Sequence, residues 1–287
     1  MSYRKTHVKS RVKRVRPKKS CFRKLWFWVI VLCVLLTLSA IYFVLFYSSF
    51  QVNNIVISGN QKISSPDIQN IASEEVYKEF FSFSGLKIAS RSIFLVRAGK
   101  IVNQILEKFP AIERVRIRKE MFQLLAIDIS ERAPVAIFCP INEALENDVC
   151  YFMDNAGVVF EPVDELPNNR IIVRQNIGGS RLVAGGVVVQ KDSMDLLLKL
   201  EKNMRDDFKI KIKEATITSP IKLSVTTGEG WKIYFNLGDD SDTSVELAKL
   251  NLLLNGGMTA QERENLRYID LKPKDRAIIC DNSTCAR

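Results

Sequence analysis

Residues 25–47 read LWFWVIVLCVLLTLSAIYFVLFY and contain no charged side chain. As an α-helix rising about 1.5 Å per residue, this stretch would span roughly 34 Å, enough to cross a hydrocarbon core of about 30 Å. A cleaved signal peptide is the alternative, because the Leu-Ser-Ala sequence at residues 38–40 resembles a cleavage site. Signal peptides, however, carry apolar runs of only about 7 to 15 residues. We therefore predict an uncleaved transmembrane helix, with the aromatic residues typical of two membrane interfaces near its ends: Trp26, Trp28, Tyr42 and Tyr47.

The residues before this helix form a short basic tail. Residues 1–24 contain eleven lysines and arginines and no acidic residue, whereas Lys62 is the only basic residue in the stretch 48–67. The positive-inside rule therefore places the tail in the cytoplasm and residues 48–287 on the other side of the membrane. Such a tail is also attracted to anionic lipid, so the bilayer is a predicted partner. Basic and acidic residues nearly balance in the rest of the chain, so no nucleic-acid partner is predicted.

The chain after the membrane helix begins with the pattern of a small α/β domain, residues 48–132. FQVNNIVISGN reads as a strand and a turn, and Ser64-Ser65-Pro66-Asp67 reads as a helix start. A second helix is predicted at about residues 99–109, before Pro110. IERVRIRK and FQLLAIDISER then alternate apolar with polar or small residues, as strands do. This order predicts a three-stranded sheet with helices on one face.

A second domain, mostly β, is predicted at residues 133–280, followed by a C-terminal tail at residues 281–287. Short apolar runs alternate with turns, and a hairpin is expected around Gly228-Glu229-Gly230. Helices are predicted at about residues 191–204 and 243–255, and LRYIDL and DRAIIC read as closing strands. The predicted fold class is therefore α+β: one transmembrane helix, a small α/β domain, and a mostly antiparallel β domain with two helices.

Four cysteines fall in the predicted extracytoplasmic part, where disulfides can persist: Cys139, Cys150, Cys280 and Cys285. The first two flank a loop between two predicted strands, and the last two enclose a short C-terminal loop. We predict these two pairings, although four cysteines permit three connectivities. Neither spacing fits a zinc site, because no histidine lies nearby.

The sequence contains little that could support catalysis. The only histidine is His7, in the basic tail, which excludes Ser-His-Asp and Cys-His chemistry from the folded part. Ser84-Gly-Leu-Lys87 matches the serine-x-x-lysine of penicillin-interacting enzymes but lacks their other motifs. The acidic run at residues 238–242 lacks the glycine and closing glutamate of an EF-hand loop. We predict no catalytic residue, no cofactor, no metal and no small-molecule substrate.

Several segments, in this order, resemble the FtsQ/DivIB family of bacterial cell-division proteins. The first domain, from FQVNNIVISGN to the ERAPVA sequence at residues 131–136, is similar to that family's POTRA domain. YFMDNAGVVF at residues 151–160 and RYIDLKPKDRAII at residues 267–279 match the start and end of its β domain. The likeness extends from the tail to about Cys280. It implies a single-pass protein of the bacterial inner membrane, with a cytoplasmic N-terminus, at the division septum.

The resemblance also implies a function. Members of the family are non-catalytic scaffolds that link early and late division proteins and hold two small coiled-coil membrane proteins, FtsB and FtsL in many bacteria. Their partner strand pairs with a C-terminal edge of the β domain, a form of β-augmentation. Pro273 departs from the family's aromatic residue and cannot donate a backbone bond, which places pairing after residue 273. The matching positions are Tyr268, Asp270, Lys274, Asp275, Arg276, Ala277, Ile278 and Ile279.

A second partner-binding face is expected in the POTRA-like domain. Arg114, Arg116 and Arg118 alternate along one predicted strand, so they share one face of its sheet. In the family this domain is tied to septal recruitment, and a basic row could meet an acidic partner. A merely solvated face is the alternative for this row, and the last strand of a closed sheet is the alternative for the C-terminal edge.

Two other functions fit the same pattern. One is a POTRA-type envelope chaperone or translocation accessory, which would bind many unrelated extended segments. The other is a cell-wall enzyme or its regulator, which would need an activity that depends on Ser84 or Lys87.

Overall fold

The computed structural model of the 287-residue chain describes residues 25–77, 79–83, 86–120, 123–141, 149–178, 182–238, 242–256, 258–283 and 285. The predicted basic tail, Ser84 of the serine-x-x-lysine match and most of the acidic run at 238–242 lie outside these residues. Helix α1, Leu25–Phe46, is long and apolar enough to cross a membrane and is not buried against the rest of the protein. The predicted single transmembrane helix is therefore present, one residue shorter than expected.

The segment after α1 contains the elements predicted for a small α/β domain. A 3-10 turn at Ser48–Phe50 precedes them. They are β1 (Asn54–Ser58), α2 (Ser65–Val76), β2 (Glu79–Phe83), β3 (Leu86–Ala89), α3 (Ala98–Lys108), β4 (Ile112–Glu120) and β5 (Leu124–Glu131). The sheet order β1-β5-β4 makes β5 the central strand, and its residues 125–127 are buried accordingly. The hairpin of β2 and β3 was not predicted, although its apolar runs flank a Ser-Gly pair, which is a turn signal.

The remaining elements form a nine-stranded sheet with three further helices. They are β6 (Ala136–Pro140), β7 (Cys150–Met153), β8 (Val159–Val163), β9 (Ile171–Gln175), α4 (Lys191–Asp206), β10 (Ile212–Ser219), β11 (Lys222–Thr227), β12 (Lys232–Asn236), α5 (Thr243–Asn255), α6 (Ala260–Glu264), β13 (Leu266–Asp270) and β14 (Ile278–Asp281). The strand order is β14-β13-β12-β11-β10-β9-β6-β7-β8. Three neighbouring pairs are parallel and the others antiparallel, so the α+β class with a mostly antiparallel sheet is confirmed.

The core of this sheet follows from the alternation of its strands. Leu223 and Val225 of β11 and Ile233 and Phe235 of β12 are buried, while the residues between them are partly exposed. The buried side chains pack against apolar residues of α4 and α5, including Met194, Leu197, Leu200, Leu250 and Leu254. The opposite side of these strands therefore carries polar and aromatic side chains that remain accessible.

By its internal contacts the chain divides into two compact units. One lies within residues 1–55, 73–96 and 119–125, and the other within residues 56–72, 97–118 and 126–287. The domain bounds expected from the sequence, 48–132 and 133–280, stay predictions.

The first residue of the ERAPVA sequence, Glu131, holds a turn of the chain by hydrogen bonds. Glu131 at the end of β5 accepts three backbone N–H groups, from Gln61, Lys62 and Ile63, at 2.8 to 3.0 Å. Burial raises the pKa of Glu131, but these three donors outweigh it, so the pKa lies below its ordinary value. The carboxylate therefore fixes the turn that leads from β1 into α2.

We expect Glu131→Gln to lower the free energy of unfolding by about 1 kcal/mol, since the exposed part of the carboxylate is screened by water. Because the folded pKa is lowered, the wild-type contribution is complete above the ordinary value of 4.5 and is lost as the pH falls through the folded pKa. Urea unfolding in detergent micelles at neutral and acidic pH measures both effects. The exposed Glu165, changed to Gln, is the matched control, and equal stability of the two variants would contradict the prediction.

Candidate functional site: an open sheet edge

Strand β14 lies at one edge of the nine-stranded sheet. It pairs with β13 alone, with Tyr268 opposite Cys280, Ile269 opposite Ile279 and Asp270 opposite Ile278. No other strand of the described chain pairs with it. An edge strand offers a row of backbone donors and acceptors to another chain.

The opposite edge, β8, is partly covered by the protein itself. The amide and carbonyl of Val159 bond to the backbone of Gly186 and Gly185, at 3.1 and 2.7 Å. Strand β8 also contains Pro162, which cannot donate a bond, and Glu161, which forms an ion pair with Lys62 at 3.2 Å. These features block strand addition at β8, so the two edges differ in their availability.

Strand β14 lacks two common protections of an edge, proline and lysine. Its sequence is Ile-Ile-Cys-Asp. The side chains of Ile278 and Ile279 remain 43% and 40% exposed. An exposed apolar edge of this kind promotes association with another strand, so β14 is the better suited of the two edges of the nine-stranded sheet to receive one.

The strand is shorter than the sequence predicted. Tyr268 and Asp270 lie in β13, but residues 274–277 belong to the connection before β14. A residue of α5 holds this connection in place: Lys249 donates its Nζ to the Pro273 carbonyl at 2.6 Å. Asp270 accepts the Lys272 amide at 3.1 Å, which turns the chain at the end of β13. The assignment of partner binding to these residues stays a prediction.

Two tyrosines accompany this edge on the accessible side of the sheet. The rings of Tyr234 and Tyr268 meet edge to face at 5.4 Å, and Lys272 Nζ lies 5.5 Å from the Tyr234 ring. Sequence reasoning missed Tyr234, although the alternation of GWKIYFNLG puts it opposite to the buried Ile233 and Phe235. Beside the rings lies a groove of about 310 Å³, whose lining includes Lys222, Lys232 and Lys272. A partner with acidic side chains would complement it.

The C-terminal end of the edge is held in place by local contacts. Cys280 is buried and joined to Cys285 by a disulfide, and the amide of Asn282 bonds to the Asn265 carbonyl at 3.0 Å. Ser283 donates its hydroxyl to Asp281 at 2.7 Å. A pre-ordered edge lowers the entropic cost of adding a strand. The second disulfide joins Cys139 to Cys150, next to the pair β6–β7.

The arginine row lies on β4, the edge strand of the three-stranded sheet. Arg114, Arg116 and Arg118 are exposed, as their alternation indicated. Arg118 is part of a ladder across the sheet: its Nε donates to Asp128 of β5 at 2.9 Å, and Ser58 of β1 donates to the same carboxylate at 2.7 Å. The Arg118 hydrogen bond, followed by that of Ser58, holds the pKa of Asp128 below its ordinary value. Arg118 therefore has a structural role that the sequence did not reveal.

The described residues contain no cluster of three or more histidine, cysteine, aspartate or glutamate side chains that could hold a metal ion. Two acids of the described part of the chain are deeply buried, Asp154 and Glu246, and the second belongs to α5. Burial raises the pKa of Glu246, and its carboxylate accepts the Asn236 amide at 3.2 Å. This bond connects α5 to the end of β12, which is a structural role.

These features define a membrane protein with one apolar helix, an α+β fold and an open sheet edge. The chain is 26% identical to the cell division protein FtsQ of Geotalea daltonii over 209 residues, 70% of each chain. No protein-family model matches it. The similarity supports a role in cell division and, with α1, a single-pass membrane protein of the division machinery.

We expect mass spectrometry of the unreduced, trypsin-digested protein to find the disulfides Cys139–Cys150 and Cys280–Cys285, because the paired Cα atoms lie 4.4 and 5.6 Å apart, within the usual range for disulfides. Alkylation before digestion marks any free thiol, and Cys33 in α1 is the internal control for labelling. Alkylation of Cys139, Cys150, Cys280 and Cys285 would contradict the prediction.

Proposed function

We propose that the protein is a non-catalytic scaffold of the bacterial division machinery, which links early and late division proteins at the septum. In this proposal the tail lies in the cytoplasm, α1 crosses the inner membrane, and the two sheets lie outside the cytoplasm. Its partners are small coiled-coil membrane proteins like FtsB and FtsL, together with other division proteins. The similarity to FtsQ and the lack of catalytic histidine in the folded part support this function.

One observation carries the proposal: β14 is an open sheet edge with two exposed isoleucines. A partner segment that extends the sheet beyond β14 would satisfy the outward backbone groups and cover Ile278 and Ile279. Main-chain bonds supply affinity in this mode, and alternate side chains supply specificity. The tyrosine pair lies on β12 and β13 and the lysine-lined groove on β10 to β12, so they would contact only a part of the partner that crosses the face of the sheet.

A lysine substitution in β14 tests binding by strand addition. We expect Ile279→Lys in the full-length protein to weaken co-purification of the coiled-coil partners about tenfold, since lysine at an edge disfavours strand addition at a cost of roughly 1.4 kcal/mol. The same variant, tagged at its N-terminus, should still reach the septum if recruitment uses another surface.

Leu166→Lys is the matched control, because Leu166 is similarly exposed at 48% and follows the opposite edge strand. Undiminished partner binding by Ile279→Lys would refute strand addition at β14. Binding of many unrelated unfolded segments by the wild type would favour the chaperone function. Uniform envelope fluorescence of a functional tagged protein would contradict a division role.

We further propose that the exposed arginines of β4 contribute to septal recruitment through an acidic partner. Arg114 and Arg116 are the suitable residues, since Arg118 is bonded to Asp128 across the sheet. Arg114, by contrast, contacts only its neighbour Glu113, at 3.6 Å, among the ion pairs of the described residues. The observation that favours this surface is the repeated positive charge along an edge strand.

Reversing the charges of Arg114 and Arg116 tests whether septal recruitment can be reduced without a loss of stability. We expect Arg114→Glu with Arg116→Glu to reduce the septal fraction of the tagged protein, with its unfolding midpoint unchanged, because both side chains are exposed. The control replaces Lys211 and Lys213, which lie at the start of β10, by glutamate. Normal septal localisation of the β4 variant would exclude this surface.

A further inference from the structure

The end of the membrane helix is hydrogen-bonded to a turn of the folded unit. The last carbonyls of any helix lack partners within the helix. Here Ser92 donates its hydroxyl to the Val44 carbonyl at 3.0 Å, and Ser90 donates to the Leu45 carbonyl at 2.5 Å. Both serines are buried. The segment that carries them therefore lies directly against the last turn of α1.

Backbone bonds hold the same segment in register with the chain that leaves α1. Gln51 and Ser92 form an antiparallel bridge, with Val52 bonded to the Arg91 carbonyl at 2.9 Å and Ile93 to the Phe50 carbonyl at 2.8 Å. The membrane helix is thus joined to this turn by backbone and side-chain bonds, not by a free linker.

A continuous row of aromatic rings runs from the helix to the tip of the turn. Phe43 stacks on Tyr47 at 4.3 Å, Tyr47 lies 5.8 Å from Phe50, and Phe50 lies 5.5 Å from Phe94. Phe94 is at the tip of the turn closed by the bond from Leu95 to Ser92, and it is 57% exposed.

The position of this turn follows from the position of the helix. Val44 lies two residues before the end of α1, which is about 3 Å along the helix axis. A helix of 22 residues is only slightly longer than the hydrocarbon core, so a loop bonded to Val44 lies at the interface between acyl chains and headgroups. Aromatic side chains are enriched at this depth. Arg91, three residues before Phe94, is exposed, and its guanidinium lies 4.7 Å from the centre of the Tyr77 ring.

We infer that the turn at residues 92–95 is an interfacial membrane anchor, with Phe94 inserted among the lipid headgroups of the bilayer that α1 crosses. This anchor gives the unit next to the membrane a second attachment and fixes its orientation. It requires neither a partner protein nor the β14 edge.

Fluorescence from a tryptophan at the tip measures insertion. The full-length chain carries Phe94→Trp with Trp26→Phe and Trp28→Phe, in nanodiscs of phosphatidylcholine and phosphatidylglycerol. Trp231 remains, since it is buried in the large sheet. We expect blue-shifted emission from position 94 and a loss of emission when the lipids carry bromine on their acyl chains. Leu252→Trp in the same background is the control, because Leu252 is 76% exposed and belongs to the other unit.

Crosslinking with a photoactivatable phospholipid tests membrane contact of the turn in the wild-type protein, and it does not depend on whether the tryptophan variant folds. We expect lipid adducts on the tryptic peptide of residues 92–97 in addition to α1, and no adducts on the peptide of residues 250–263, which contains Leu252. Adducts confined to α1, or equal bromine quenching at positions 94 and 252, would overturn the anchor. Because no division protein is present, either result is independent of the proposed scaffold function.

Discussion

The contact between Arg132 and Asp154 joins the end of β5, in the three-stranded sheet, to the end of β7, in the nine-stranded sheet. Arg132 follows β5 and Asp154 follows β7, and their side chains are only 15% and 5% exposed. Asp154 also accepts the amides of Ala156 and Val158 at 2.9 Å, and Arg132 donates to the Pro110 carbonyl at 3.1 Å. A pair so deeply buried is stable only when its remaining polar atoms are satisfied, and loss of one partner costs about 3–5 kcal/mol. The path of the chain from one sheet to the next therefore depends on this pair.

The same reasoning explains why sequence patterns near this pair were informative. The ERAPVA and YFMDNAGVVF segments are recognisable because each residue has a fixed structural task. Gly157 adopts φ +76°, and a Cβ atom there would lie 2.0 Å from the Val189 carbonyl oxygen. The resemblance to a known family was thus carried by residues that hold the fold. Similarity in these segments indicates a common architecture more directly than a common binding surface.

Local patterns predicted α1 to α5 and most of the antiparallel strands, but they missed the β2–β3 hairpin, α6, β9 and β10. Strands β9 and β10 lie side by side in parallel, so no hairpin turn connects them to each other, and both partners of β9 lie far along the chain. Strand β10 also carries charge: Glu214 pairs with Arg174 of β9 at 3.2 Å, and this contact is invisible before the register is known. The start of β14 was missed for a similar reason, since Lys249, 24 residues earlier, holds the connection at Pro273. Non-local contacts therefore account for the errors at β9 and at the start of β14.

The sequence predicted that β14 is a strand, but not that its outer edge is open to a partner strand. Exposure of the edge depends on which parts of the sheet the rest of the chain covers. Strand addition is carried largely by backbone groups, which every residue except proline supplies. A site of this kind places weak demands on side-chain identity: the strand must stay extended, unprotected and in register. Sequences can then diverge while the interaction persists, which fits a chain that matches no family model yet is 26% identical to a division protein over most of its length. For such a protein, the geometry of the sheet edge is a better guide to function than any motif within it.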